Sequence, residues 1–145
     1  MSAATTIGIL PAMNRLVLAD TGPLYALADP SDQYHLRAQT QQDRISATKR
    51  FVAVAYPTLT ESYTLVLRRL GTVYAHQWLE QVMDATMLIN PEPGDYIRAA
   101  TLLLNFPDQS ITLFDAVVAT LSERMQVAVW TYDRGFDLLG IKRWA

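Results

Sequence analysis

The chain has 145 residues, which is the size of one compact domain with a sizeable core. Hydrophobic residues make up 50% of it and charged residues 18%, a balance that excludes an intrinsically disordered protein. The absence of cysteine excludes disulfides, a thiolate nucleophile and Cys-ligated zinc, so we expect a cytoplasmic protein. The formal net charge of -2 gives no overall attraction to nucleic acid, so any such binding has to be local or metal-mediated.

The first fourteen residues are predicted to be an extension of the domain. Residues 1–14 lack the basic start and the small-residue cleavage site of a signal peptide, and no apolar run is long enough to cross a bilayer. We therefore expect no membrane association, a flexible extension over residues 1–14 and a single domain over residues 15–145. Met13 is a candidate for the natural start because the ordered pattern begins at Arg15, and mass spectrometry of the natural protein would settle this.

Short apolar runs alternate with longer helical patterns along the chain, which is typical of βαβ units and a parallel sheet. The predicted strands are residues 15–19, 51–55, 86–89 and 127–131, with a short edge strand at 141–144. Helices are predicted after Gly22-Pro23 and over residues 33–49, 57–70, 72–84, 93–106 and 110–125. The uniformly apolar first strand indicates a sheet that helices cover on both faces.

Four acidic residues follow the predicted strands or open the predicted helices: Asp20, Glu61, Asp115 and Asp133. Asp20 and Asp133 directly follow strands, and in open parallel sheets the ligand crevice lies outside the carboxyl ends of the strands. Converging carboxylates without cysteine suit a hard cation, Mg²⁺ or Mn²⁺. Such an ion keeps several waters beside one or two carboxylates and the phosphate oxygens of a substrate. We therefore expect a phosphodiester as the substrate.

Each acid also has a purely structural explanation. Asp20 and Asp133 suit turns, and acids at helix starts complement the helix dipole or cap the first turn. On a helical wheel, Asp115 lies at the margin of an apolar arc beside small residues that leave room for a metal. Glu61 falls opposite the apolar stripe of its helix, so its place in the first turn is its main support.

Four segments around these acids resemble PIN-domain nucleases, particularly the VapC-type toxins of bacterial toxin–antitoxin pairs. The segments are LVLADTGPL (16–24), TE (60–61), TLFDA (112–116) and TYDRGF (131–136), in the family's order and spacing over residues 15–140. The resemblance implies a PIN-like fold, a three-layer α/β/α sandwich with a central, mainly parallel sheet of four or five strands and the acids at one end. Two features depart from the family: Gly22 stands where many members carry Ser, and the N-terminal extension is longer than usual.

The resemblance also implies a Mg²⁺-dependent endoribonuclease, the toxin of a toxin–antitoxin pair, that hydrolyses RNA phosphodiester bonds at the four acids. Asp20, Asp115 and Asp133 would bind the metal or hold its ligands, and Glu61 would bind metal or act as a general base. A small antitoxin partner and a homodimer built from helical surfaces are implied as well. The alternative is a non-catalytic PIN-like module that binds RNA or a protein.

Three threonines near the acids would supply hydroxyl groups to the site or cap helices, and the sequence leaves both roles open: Thr21, Thr112 and Thr131. Arg134 follows Asp133, which predicts either contact with a substrate phosphate or a solvated turn. Arg68 and Arg69 fall in the last turn of their helix, where they complement the dipole. That position predicts that both lie away from the strand ends and makes them weak candidates for substrate contact.

Overall fold

The computed structural model describes residues 12–144, and its four strands form one parallel sheet. The strands are β1 (Leu16–Ala19), β2 (Phe51–Ala55), β3 (Met87–Ile89) and β4 (Ala128–Trp130), in the spatial order β3-β2-β1-β4. Val17 in β1 pairs with Val52 on one side and with Ala128 on the other. The four predicted strands are confirmed, whereas the predicted edge strand at 141–144 is reduced to a single parallel bridge between Val129 and Arg143.

Seven α-helices surround the sheet in residues 12–144. They are α1 (Thr21–Ala28), α2 (His35–Ala47), α3 (Tyr56–Leu70), α4 (Thr72–Ala85), α5 (Pro93–Leu104), α6 (Leu113–Met125) and α7 (Gly135–Leu138). The helix α7 is missing from the prediction because four residues are too few for a helical period to show. No helix within residues 12–144 combines the length and the hydrophobicity that a membrane span requires. Of the predicted extension, residues 1–11 lie outside the described residues, and a 3-10 helix at Met13–Arg15 leads into β1.

Local side-chain chemistry explains where two helices begin. The helix α2 begins later than predicted, because the Asp32 carboxylate accepts the Tyr34 N–H at 2.9 Å and ties the preceding residues into a turn. The helix α6 also begins later than predicted, because Thr112 caps it. The helix α3 carries Pro57 in its first turn, as predicted. These starts place Asp115 in the first turn of α6 and Glu61 in the second turn of α3.

The side chains of β1 alternate between two cores. Leu16 and Leu18 pack with side chains from α5, α6 and α7, whereas Val17 and Ala19 pack with side chains from α1 to α4. This alternation follows from the two-residue period of a strand. Because helices cover both faces of the sheet, the predicted three-layer α/β/α sandwich is confirmed.

A partly buried ion pair joins α5 to α6, because Arg124 reaches the buried Asp95 from the surface. Asp95 is fully buried and accepts hydrogen bonds from Nε and Nη2 of Arg124, each at 2.8 Å. The same carboxylate accepts the backbone N–H of Glu92 at 2.8 Å and so caps the start of α5. This contact fixes α5 against the helix that carries Asp115.

Candidate active site

The sheet topology brings the predicted site residues to one end of the molecule. Asp20 directly follows β1, and its N–H donates to the Trp130 carbonyl of the neighbouring strand β4 at 2.9 Å. Asp133 lies three residues beyond β4. Because the strands are parallel, these carboxyl ends face the same edge of the sheet, where ligands of open α/β sheets bind.

Asp20 is the most buried of the four acids, with 8% of its surface exposed. Its Oδ2 accepts a hydrogen bond from the Thr131 hydroxyl at 2.8 Å. Burial raises the pKa of Asp20 to about 6; the hydrogen bonds from Thr131 and from the Thr21 N–H oppose this rise, and the charges of Asp115 and Glu61 add to it. The carboxylate is therefore held near two other acids in a place that disfavours its negative charge.

Glu61 is tied to α1 through a chain of hydroxyl groups. The Thr21 hydroxyl donates to Oε1 of Glu61 at 2.5 Å, and the Ser62 hydroxyl donates to the Thr21 oxygen at 3.1 Å. Ser62 is fully buried and was missed as a supporting residue. The signal was present, because Leu59, Ser62 and Val66 share one buried face of α3 and a lone serine in an apolar stripe requires a partner.

This arrangement directs Glu61 towards α1. The helical wheel predicts a place for Glu61 opposite the apolar stripe of α3, and in the structure Glu61 is half-buried and contacts Thr21. The predicted place in the first turn is wrong, because α3 begins at Tyr56 and Glu61 lies in its second turn. The nearby departure from the family pattern is sterically neutral. A Cβ atom at Gly22 would meet Tyr132 at 3.6 Å, which is ordinary van der Waals contact, so the backbone leaves room for a Cβ atom there.

Asp115 and Thr112 form a capping box at the start of α6. The Thr112 hydroxyl oxygen accepts the Asp115 N–H at 3.1 Å, and Oδ2 of Asp115 accepts the Thr112 N–H at 3.4 Å. Of the two roles left open for Thr112, the structure therefore shows helix capping. Asp115 is half-buried, and burial raises its pKa against the effect of the Thr112 hydrogen bonds, with a further rise from the charge of Asp133.

Asp133 occupies a turn between β4 and α7. Its Oδ1 accepts the Gly135 N–H at 2.7 Å, and its own N–H donates to the Thr131 hydroxyl oxygen at 3.0 Å. Thr131 thus links Asp133 to Asp20 by accepting from one and donating to the other. Asp133 and the following Arg134 are both exposed, and the assignment of Arg134 to a substrate phosphate stays a prediction.

We call Asp20, Glu61, Asp115 and Asp133 the acidic row. The charges of Asp115 and Glu61 add to the rise in the pKa of Asp20, and the charge of Asp133 adds to the rise in the pKa of Asp115. None of the four forms a salt bridge within residues 12–144. In the same part of the chain, no three His, Cys, Asp or Glu side chains have the arrangement of direct metal ligands. The assignment of Asp20, Asp115 and Asp133 to a shared metal ion therefore stays a prediction.

Two openings adjoin this row. A small cavity of about 90 Å³ is lined by Asp115, Asp133 and Phe136. A groove of about 380 Å³ lies between α3 and the start of α6; its walls include Glu61, Arg68 and Phe114. A larger cavity of about 770 Å³ lies near the opposite ends of the strands and contains none of the predicted site residues.

The position of Arg68 corrects the sequence-based prediction. Arg68 lies in the last turn of α3, as expected, but it lines the same groove as Glu61 and Thr21. Its place in the last turn predicts a position away from the site, and this prediction is wrong because the sequence of α3 does not encode how the helix lies against α1 and α6. Arg69 does not line this groove, and its guanidinium lies over the ring of Tyr25 at 5.0 Å.

Comparison with solved structures finds several chains of the same fold. The chain is 19% identical to VapC20 of Mycobacterium tuberculosis, described as a sarcin-ricin loop cleaving toxin, with a TM-score of 0.78 over 88% of this chain and 98% of that one. It is 11% identical to a chain of VapBC2 from Rickettsia felis, whose structure contains a DNA fragment from their promoter, with a TM-score of 0.69 over 88% and 96%. It is 18% identical to a chain of FitAcB from Neisseria gonorrhoeae, with a TM-score of 0.66 over 89% and 96%. No family model and no curated protein matches the sequence.

Proposed function

We propose that this chain, which has the PIN-like fold of the VapC toxins that it resembles, is a metal-dependent endoribonuclease and the toxin of a toxin–antitoxin pair. The observation that carries the proposal is the environment of Asp20. Asp20 as a residue is 8% exposed, lies near two further acids, and forms no salt bridge within residues 12–144. A buried anion without a cation is costly to the folded state, and a bound divalent ion would offset that cost.

The donor groups at this site fit Mg²⁺ or Mn²⁺. Asp20, Asp115 and Asp133 offer carboxylate oxygens, which hard cations prefer, and Mg²⁺ needs one or two of them beside several waters. When bound, the ion would stabilise the negative charge that develops on the phosphate during hydrolysis. We assign Asp20 as a direct ligand, and Asp115 and Asp133 as further ligands or as partners that hold the coordinated waters.

The hydroxyl groups around the acids orient them for this role. Thr131 fixes one oxygen of Asp20, and Thr21 fixes Oε1 of Glu61. The other oxygen of Glu61, Oε2, accepts no hydrogen bond from the described residues. We therefore assign Oε2 of Glu61 as the acceptor of the proton that the attacking water loses. Arg134, beside Asp133, is our candidate for a contact with the substrate phosphate.

The proposed partners are an RNA substrate, a small antitoxin and a second copy of the chain, all in the cytoplasm. The antitoxin is supported by the VapBC2 and FitAcB structures, whose chains share this fold. A homodimer through helical surfaces is part of the same proposal. A short reading frame for a DNA-binding protein immediately upstream of the gene would support the antitoxin, and co-purification of its product with this chain would test it.

The test is RNA cleavage by the purified chain, free of any antitoxin. Structured RNAs, including ribosomal RNA, are incubated with the protein in Mg²⁺ and in EDTA. The same assay is run with Asp20→Asn and Asp115→Asn, and with Asp43→Asn as a matched control at an exposed position of α2. In Mg²⁺, we expect cleavage by the original chain and by the Asp43→Asn control. We expect no cleavage by any chain in EDTA, and none by the Asp20→Asn or Asp115→Asn chain in Mg²⁺.

Two outcomes would overturn the proposal. Cleavage that persists in EDTA or in the Asp20→Asn chain would place the chemistry elsewhere or assign it to a contaminant. RNA binding without any cleavage by the original chain, in Mg²⁺ and in Mn²⁺, would favour the non-catalytic module instead.

A further inference from the structure

We propose that the groove between α3 and the start of α6 binds the RNA strand beside the cleaved bond, with Arg68 on a backbone phosphate and Phe114 stacked on an unpaired base. This inference rests on the proposed function, because it takes the acidic row as the place of cleavage. It adds a substrate-binding surface and a preference for single-stranded nucleotides. We call this surface the Arg68 groove; its lining residues include Thr21, Glu61, Thr64, Leu65, Arg68 and Phe114.

The Arg68 groove begins at the acidic row and runs along α3. Glu61, Leu65 and Arg68 recur at helical spacing, so one face of α3 forms one wall of the groove. Arg68 lies seven positions after Glu61, which is a distance of about 10 Å along the helix axis. Arg68 would therefore meet a neighbouring phosphate of the strand and leave the cleaved phosphate to the acids.

The guanidinium of Arg68 is available for a phosphate. Arg68 is exposed and forms no salt bridge within the part of the chain that the structure describes. A guanidinium binds phosphate oxygens through two parallel hydrogen bonds. Because the whole chain has a net charge of -2, RNA affinity has to come from local cations of this kind or from bound metal.

Phe114 supplies an aromatic face on the other wall of the groove. It immediately precedes Asp115, and its side chain is 39% exposed although it is a large apolar group. Aromatic side chains in single-strand binding sites stack on bases with little dependence on sequence. A base can reach Phe114 only when it is unpaired, so the groove favours loops, bulges or single-stranded segments over a continuous duplex.

The first experiment measures binding separately from cleavage. In the Asp20→Asn background, fluorescence anisotropy follows a labelled single-stranded RNA in Mg²⁺ at several salt concentrations. We expect Arg68→Ala to raise the Kd by about fivefold to tenfold. The slope of the logarithm of the binding constant against the logarithm of the salt concentration should become less negative by about 0.7, because one phosphate contact is lost. The matched control is Arg69→Ala, which removes the same charge one residue away but beside Tyr25. It should leave both quantities close to their starting values.

The second variant tests the base contact. Phe114→Ala should raise the Kd by about tenfold at every salt concentration, because stacking carries no net charge. The control is Leu113→Ala, which removes an apolar side chain that is 50% exposed and does not line the groove. Circular dichroism and thermal melting of each variant show whether its fold is retained. The Arg68→Ala chain tests the phosphate contact and the Phe114→Ala chain tests the base contact, so a failure to fold in one leaves the other test valid.

The outcomes distinguish this inference from the proposed function. Cleavage by the original chain, with the same KM in the Arg68→Ala and Phe114→Ala chains, would overturn the groove and leave the nuclease intact. RNA binding that depends on Arg68, without cleavage by the original chain, would support RNA binding in the Arg68 groove. The same result would contradict the proposed nuclease activity. Equal losses in the Arg68→Ala and Arg69→Ala chains, or no measurable RNA binding, would also overturn the groove.

Discussion

The carboxyl group of Asp20 ionises at a cost to the folded chain. Its pKa rises from 3.8 to about 6, chiefly because burial disfavours the charged form. Between these two values the folded chain holds the proton more tightly than the unfolded chain does. The contribution of Asp20 to stability is therefore greatest below pH 4, falls as the pH rises, and levels off above pH 6.

We predict that Asp20→Asn makes the protein more stable while it abolishes cleavage. Asparagine cannot ionise, and its amide oxygen keeps an acceptor for the Thr131 hydroxyl. In EDTA at pH 8, the free energy of unfolding should rise by up to about 3 kcal/mol, the equivalent of the pKa shift. Urea unfolding at pH 8 and at pH 4 measures this. A gain of the same size at both pH values would contradict the assigned cause, because Asp20 is protonated at pH 4.

The hydrogen bond from Thr131 lowers the pKa of Asp20, so its removal should shift the pH profile of cleavage. We predict that Thr131→Val moves the acidic limb to higher pH and reduces cleavage at pH 6 by about tenfold, the effect of one hydrogen bond to a charged group. The control is Thr120→Val, because the buried Thr120 hydroxyl donates to the Ala116 carbonyl within α6 and is remote from Asp20. Matching profiles for the two variants would mean that Thr131 has no specific role.

Individual residues were predictable to different degrees. Asp20 and Asp133 were identifiable because each follows an apolar strand, and chain connectivity alone puts such residues at the strand ends. The sequence does not distinguish the capping role of Thr112 from the role of Thr131 as a hydrogen-bond donor to Asp20. Both threonines precede an acid by two or three residues. Ser62 was missed because its partner Thr21 is distant in sequence and belongs to another helix.

At the scale of elements, the ion pair between α5 and α6 is the strongest candidate for a stability determinant. We predict that Asp95→Asn lowers the free energy of unfolding by about 1.5–3 kcal/mol, because it removes the charge-assisted hydrogen bonds between Arg124 and a buried side chain. The Arg124 guanidinium lowers the pKa of Asp95, so this stabilisation is present above the unfolded pKa of 3.8 and is lost as the pH falls through the folded value.

The control for this prediction is Arg98→Ala. The Arg98 guanidinium lies 3.8 Å from Asp95, and its side chain is 66% exposed, so its removal should change stability by less than about 1 kcal/mol. Urea unfolding of the two variants at pH 7 provides the comparison. Equal losses of stability in the Asp95→Asn and Arg98→Ala chains would show that the contact between Asp95 and Arg124 contributes no more than the exposed contact with Arg98.

A glycine packs closely against Asp133 in the turn between β4 and α7. A Cβ atom at Gly135 would lie 3.0 Å from Oδ1 of Asp133, so the carboxylate would have to shift by a few tenths of an ångström. We predict that Gly135→Ala reduces cleavage by up to about tenfold if Asp133 holds the metal or its ligands. The matched control is Gly140→Ala, where φ is +70 and no atom is within 4 Å of the new Cβ. It should lower stability by about 1 kcal/mol through backbone strain and leave cleavage unchanged.

At the scale of the whole molecule, metal binding should stabilise the fold. Carboxylates scattered along an unfolded chain do not form the site, so the ion binds the native state and raises the melting temperature. We predict a rise of several degrees with Mg²⁺ at pH 8 and a smaller one at pH 5, where protons compete for Asp20. The rise should be absent for Asp20→Asn. Differential scanning calorimetry measures the melting temperature in each of these three cases. An equal rise in the Asp20→Asn chain would show that Asp20 is not a ligand of the metal ion.

The sequence by itself determined the alternation of strands and helices, the covered parallel sheet and the order of the four acids, because hydrophobic period, turn residues and caps act between close neighbours in the chain. Tertiary structure alone decided that Thr21 and Ser62 hold Glu61, that Arg68 shares a groove with Glu61, and that Asp20 is the buried acid. The physical reason is that these features depend on how α3 crosses α1 and α6. That crossing is set by side-chain packing between residues about forty or more positions apart, which no local pattern records.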